Sequence, residues 1–254
     1  ITGSLVIKSD VNNIFIIKNF NNQNILSLRH AAHRWGADFL ELTSNRPISK
    51  LSNLNPLSQT RLRMMIDFTD YDKVLILDPD TIINTKSPNI FNELTPEYDL
   101  AVVMDGNPGR FENYDFKGNH VDPFVARPGM ELFKNHILNF DESTYINNYF
   151  NNGVFLYRPK KIYSHTIKMI NVMFENPEFV DGVNQTMFIH QNLTNAWFIF
   201  SDINIKKLDN TWNWIAPDIN LEFDMFLGEM KPNIYHFCGT DMSKERLETY
   251  DRWR

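Results

Sequence analysis

The chain contains a single cysteine, Cys238, in 254 residues. That excludes an intrachain disulfide and any Cys-rich zinc site. The usage fits a reducing compartment, and with no secretory leader in view the expected location is cytoplasmic. No apolar run approaches the ~18 residues that a membrane span requires. Positive charge is also scarce: 25 Lys and Arg stand against 31 Asp and Glu, a net charge of -6. Nucleic acid and anionic membranes select a basic face, so neither is an expected partner. A phosphate bound by such a chain needs a local cation, either a basic side chain or a metal ion. The 10 Gly and 12 Pro form no linker-like stretch, which argues for one domain over residues 1–254.

Aromatic residues are plentiful. There are 20 Phe, 9 Tyr and 5 Trp, and hydrophobic residues make up 43% of the chain, a composition that builds a globular core. The start, Ile1-Thr2-Gly3-Ser4, and the end, Asp251-Arg252-Trp253-Arg254, read as the edges of a piece of a larger polypeptide. Two N-x-S/T triplets begin at Asn184 and Asn192 and matter only in a secreted chain.

Apolar periodicity alternates between strand and helix. Residues 13–17, 39–42, 73–77, 100–104, 152–157, 197–200 and 234–237 read as strands. Helical spacing recurs over 21–36, with Gly36 as a stop, over 57–68 and over 161–174, and 184–190 reads as a helix start. This rhythm predicts an α/β fold with a mostly parallel central sheet flanked by helices. Ligands of such sheets gather beyond the carboxyl ends of the strands. Two acidic tips stand there: Asp78-Pro79-Asp80 after the Lys73–Leu77 run, and Asp105-Gly106 after Leu100–Met104. Between 107 and 148 the pattern loosens into Gly, Pro, Asn and aromatics, an expected acceptor-side insertion.

Asp78-Pro79-Asp80 carries the sharpest chemistry. Pro79 lacks an N–H and fixes φ, so it ends the ladder and stiffens the turn. Two carboxylates two residues apart repel each other in a partly dry crevice, and a cation relieves that repulsion. Oxygen donors suit Mg²⁺ or Mn²⁺. Such an ion can bridge a diphosphate and stabilise the charge that develops as it leaves. The alternative is a solvated turn with two helix-capping aspartates.

The stretch from Arg61-Leu62-Arg63 through Tyr71-Asp72-Lys73-Val74-Leu75-Ile76-Leu77-Asp78-Pro79-Asp80-Thr81 resembles the donor segment of GT-A fold glycosyltransferases, of the glycogenin and lipopolysaccharide galactosyltransferase type. Asn151-Asn152-Gly153-Val154 is similar to that family's Asn-Ala-Gly-Val segment, Asn184-Gln185 stands at its Asp-Gln, and His236-Phe237-Cys238-Gly239 resembles its C-terminal His-Phe-x-Gly segment. The resemblance implies a single Rossmann-like GT-A domain with residues 1–106 as its nucleotide-binding half and 107–254 as its acceptor-side half. It implies a UDP-sugar or similar nucleotide-sugar donor and a glycan or a protein- or lipid-linked acceptor. Asp78, Asp80 and His236 would hold Mn²⁺ or Mg²⁺. Asn152 and Gln185 would face the donor sugar, and Lys244 would touch its diphosphate, although the family's Lys-Pro-Trp around that lysine is absent; apart from the resemblance, Arg61 and Arg63 could neutralise phosphate charge.

Asn184 replaces the family's aspartate, which leaves retention or inversion of the anomeric centre open. An inverting reaction needs a carboxylate base, and Asp105 is the best placed by its strand end, ahead of Asp115, Asp122 and Asp181. Of Arg61 and Arg63, one is expected to be a solvated helix residue. Trp212, Trp214 and Tyr235 could stack on a sugar, with at least one of the two tryptophans in the core. Three rival readings share parts of this pattern. A haloacid-dehalogenase-like phosphatase also places D-x-D after an apolar strand, but Ile82 stands where its Thr or Val should. A non-catalytic module binding sugar nucleotides or glycans is the second. A nucleotidyltransferase, the third, usually needs a Gly-rich basic N-terminal loop that residues 1–40 lack.

Overall fold

The computed structural model describes residues 5–9, 22–40, 48–105, 133–184, 189–215 and 232–236. Strand β1 spans Leu5–Ser9. Helix α1, Asn22–Arg34, buries Leu28, Ala31 and Ala32 on one stripe. It stops at Gly36, whose φ of 62° is readily available only to a residue without a Cβ. Strand β2 follows at Asp38–Leu40. Helix α2, Pro56–Asp67, starts as its residues dictate: the Asn55 side chain accepts from the Leu57 N–H, and proline takes the first turn, where no N–H partner is needed.

Strand β3, Lys73–Leu77, explains the layering. Leu75 and Leu77 point into one core with α1, while Val74 and Ile76 point into another that includes Met64 and Met65 of α2. All four are fully buried, the expected state of a strand covered on both faces. Strand β5, Leu100–Met104, and strand β6, Phe150–Tyr157, divide their side chains between the same two cores. A third core sits among α2, α4 (Pro159–Glu175), α5 (Pro177–Asn184) and α6 (Ile189–Ile199), and takes in Tyr145 of the short helix α3 (Glu142–Asn147).

With β7 at Ile205–Leu208, the main sheet has the order β2-β1-β3-β6-β5-β7. The single α/β domain with helices on the sheet is as expected, but the expectation of mostly parallel pairing needs correction. Strands β2, β3, β5 and β7 share one direction, yet β1 and β6 run against them, and among the described residues of this sheet only β5 and β7 pair as parallel neighbours. Two strands cause it: β1 lies between β2 and β3, and β6 slots between β3 and β5, each in the opposite sense to its neighbours. Strands from both sides of residue 106 therefore interleave in one sheet.

A second, three-stranded sheet joins β4 (Thr81–Ile83), β9 (Ile234–His236) and β8 (Trp214–Ile215) in the order β4-β9-β8. Elsewhere the apolar run Trp197-Phe198-Ile199-Phe200, expected as a strand, is instead the end of α6 and its exit. A short buried apolar run has no period to separate the two states. Strand β7 escaped the sequence reading because Lys206 and Lys207 interrupt it. The expected strand at 13–17 lies outside the described residues.

Candidate functional site

The carboxyl end of β3 delivers Asp78, and the turn into β4 delivers Asp80. The turn is closed by Thr81, whose N–H and hydroxyl both donate to the Asp78 carbonyl, at 3.1 and 2.7 Å. Strand β9 pairs antiparallel with β4, placing His236 opposite Thr81. The imidazole Nε2 thereby lies 3.3 Å from Asp80 Oδ1 and 3.5 Å from Asp78 Oδ2. One donor atom from each of the three residues lies within 4.8 Å of the others. His236 is nearly buried, whereas both carboxylates keep a solvent-facing edge.

This donor set fits a divalent cation. Two carboxylates supply hard oxygen ligands, and the imidazole is directed inward because its other nitrogen, Nδ1, is engaged 2.9 Å from Asn213 Oδ1. Backbone space enforces the same aim. A Cβ on Gly153 would collide with His236 Nδ1 and Cε1, so only glycine admits the ring here. Burial raises the Asp78 pKa, and neighbouring Asp80 raises it further, while Arg61 and His236 pull it back.

Arg61 is buried on α2. One arm of its guanidinium pairs with Asp78 Oδ1, and the other donates to the Asn152 carbonyl at 2.9 Å. Arg63 is the solvated member of the pair, bridged to Asp67 one turn along. Asn152 is buried with its amide turned into α6, donating to Thr194 Oγ1 at 2.6 Å, and its Oδ1 has no hydrogen-bond partner. Asp105, 5% exposed, lies beneath the site, where its Oδ2 accepts from Gln191 Nε2 at 3.0 Å and Asn151 Nδ2 at 3.4 Å. Burial and the nearby Arg61 charge hold His190 neutral, well below the ordinary histidine range.

Asn184 is engaged elsewhere. Its amide donates to the Asn53 carbonyl at 2.7 Å and accepts from the Asn55 N–H at 3.0 Å, tying α5 to the entry of α2. Asp181 sits beside it, accepting from Asn53 Nδ2 at 3.4 Å. Trp212 is core, and Tyr235 is buried, which pushes its phenol up to about 12. Asn192 is fully buried, so its N-x-T triplet is not an accessible acceptor in the folded chain. Gln185, Lys244, Asp115 and Asp122 lie outside the described residues. Sequence reasoning missed Asn213 and Gln191, whose roles depend on contacts between distant segments.

Residues 6–242 match the family model for glycosyl transferase family 8. Comparison with curated proteins gives no match. Among solved structures, the chain is similar to the apo structure of the bifunctional glycosyltransferase WbbM, with a TM-score of 0.53 and 17% identity over 89% of this chain. The alignment spans 41% of that larger protein. A glycosyltransferase involved in glycosylation of the major capsid of PBCV-1 aligns with a TM-score of 0.51 and 14% identity over 94% of this chain and 98% of its own. At those identities the likeness is one of fold. The family match covers nearly the whole chain and includes the D-x-D turn, the Asn-Gly strand and His236, so the chain belongs to glycosyl transferase family 8 and is a glycosyltransferase.

Proposed function

We propose that this glycosyltransferase moves a sugar from a nucleotide-diphosphate donor, a UDP-sugar, to a hydroxyl of a glycan or of a protein- or lipid-linked acceptor. Asp78, Asp80 and His236 would hold Mn²⁺ or Mg²⁺. The observation that carries the reading is the convergence of these three donors within 4.8 Å at the end of β3. When bound, the cation neutralises charge on the leaving diphosphate. Arg61, locked between Asp78 and the Asn152 carbonyl, fixes the metal-facing carboxylate and adds positive potential on the same side. Gln185 and Lys244 are assigned to the donor sugar and diphosphate by family likeness alone.

Asp105 is assigned an orienting role in place of the base suggested by its strand end. Its carboxylate is buried and accepts from two side-chain amides, which suits a fixed anchor better than a group that must reach an acceptor hydroxyl. The test is titration calorimetry against a panel of nucleotides and nucleotide sugars, with Mn²⁺ and with chelator. Metal-dependent binding of one diphosphate sugar, lost in Asp80→Ala, is the expected result. A folded protein that binds no member of the panel in the presence of metal would defeat the reading.

A further inference from the structure

The orientation of His236 follows from a chain of hydrogen bonds that begins at a backbone amide. The Gly153 N–H can only donate, and it points at one side-chain atom of Asn151, 2.7 Å away. That atom must be Oδ1, so the Asn151 NH₂ faces Asp105 Oδ2, an acceptor when ionised, at 3.4 Å. Asn151 Oδ1 has a second neighbour 2.9 Å away in the amide of Asn213, which must present its NH₂ there. Asn213 is then left with Oδ1 toward His236 Nδ1 at 2.9 Å. Two acceptors cannot share a hydrogen bond, so Nδ1 carries the proton. A neutral ring protonated at Nδ1 exposes a lone pair on Nε2, the nitrogen facing Asp78 and Asp80. Asn151 and Asn213 are both buried, so water does not compete for these amides.

We infer that Asn213 is a positioning residue, the last link of a relay from Gly153 and Asp105 through Asn151 that fixes His236 in the Nδ1–H tautomer and keeps Nε2 ready for a cation. Asn213 meets the ring at Nδ1, whereas Nε2 is the nitrogen that faces Asp78 and Asp80. It acts from the 3-10 turn at Asn210–Asn213, directly before β8, which pairs with the histidine's own strand. The inference rests on the metal reading for its purpose, though the tautomer stands apart from it.

The test takes the protein free of metal and donor, with ¹⁵N-labelled histidine, at a pH where the ring is neutral. Two-bond ¹H–¹⁵N correlation identifies the protonated nitrogen, and loss of one ring's signals in His236→Asn assigns them. The wild type is expected as a single Nδ1–H tautomer, and finding Nε2–H there overturns the relay without any further variant. Asn213→Leu is expected to mix the tautomers and to weaken Mn²⁺ binding, measured by calorimetry, by about ten- to a hundredfold. Asn213→Asp keeps an acceptor for Nδ1 and is expected to retain the tautomer. A folded Asn213→Leu that keeps the pure Nδ1–H form, or binds Mn²⁺ as tightly as wild type, overturns the proposal. A wild type that binds no Mn²⁺ defeats the metal reading alone, because the tautomer comparison still decides the relay.

Discussion

The two sheets of this molecule differ in strand length and in how their ends are tied, yet each delivers part of one site. The main sheet is apolar on both faces: every residue from Val74 to Leu77 and from Leu100 to Val103 is fully buried. The small sheet has strands of only two or three residues; Ile83 and Ile234 share the core of the main sheet, and polar contacts tie the ends of its strands. Asn84 donates from Nδ2 to the Pro232 carbonyl at 3.2 Å and from its backbone N–H to the Asn233 carbonyl at 2.9 Å, and the Asn233 N–H donates to the Thr211 carbonyl at 2.7 Å. Asp78 rides on the first sheet and His236 on the second. Breaking packing in the main sheet should cost stability, whereas breaking the small sheet or its seam should cost the site.

The largest effect should come from removing a shared ligand. Asp78→Ala or Asp80→Ala is expected to lower metal-dependent turnover by at least about a hundredfold while the melting transition persists. Near-normal turnover in either variant would remove the site assignment. Next is the seam. Gly153→Ala keeps the β6 register but displaces the His236 ring, so Mn²⁺ affinity should fall about tenfold or more by calorimetry. The reverse contrast comes from Phe155→Ala, a buried main-sheet change among Phe150, Tyr157 and Phe198. It is expected to cost about 3–5 kcal/mol in urea unfolding and leave the Mn²⁺ affinity of the folded fraction unchanged. A loss of affinity there would erase the division of labour between the sheets.

Two smaller effects sharpen the picture. Asn84→Ala removes an anchor of the small sheet, at an expected cost of about 1 kcal/mol in unfolding free energy. Asp141 caps α3 by accepting from the Thr144 N–H at 2.7 Å, and bonds to Thr144 hold its pKa below the ordinary carboxylate value. A depressed folded-state pKa stabilises above the unfolded value and is lost as pH falls through the folded one. The melting-temperature gap between wild type and Asp141→Ala should therefore be present at neutral pH and close under acid conditions.

The same division sets what the sequence revealed. β3, β5 and α2 were legible because doubly buried runs and a proline-led amphipathic stretch are local signals. The D-x-D turn was legible because an apolar strand points at it. His236 emerged only through family likeness, since a histidine between Tyr235 and Phe237 is otherwise ordinary core. Strand direction was not legible: nothing in Phe150–Tyr157 states that it enters between β3 and β5 running the other way. The Asn213 amide and the Gly153 cradle were hidden for a related reason, because each acquires meaning only beside a ring far along the chain.

That distance has a consequence in time. Asp78 and Asp80 leave the ribosome with the first third of this sequence, but His236 arrives near its end, and β9 cannot pair with β4 before then. Until then the end of β3 can present Asp78 and Asp80 beside Arg61 but not the imidazole. On the proposed reading the three-residue donor set is complete only once residue 236 has been made, and a chain cut short of it would lack the imidazole.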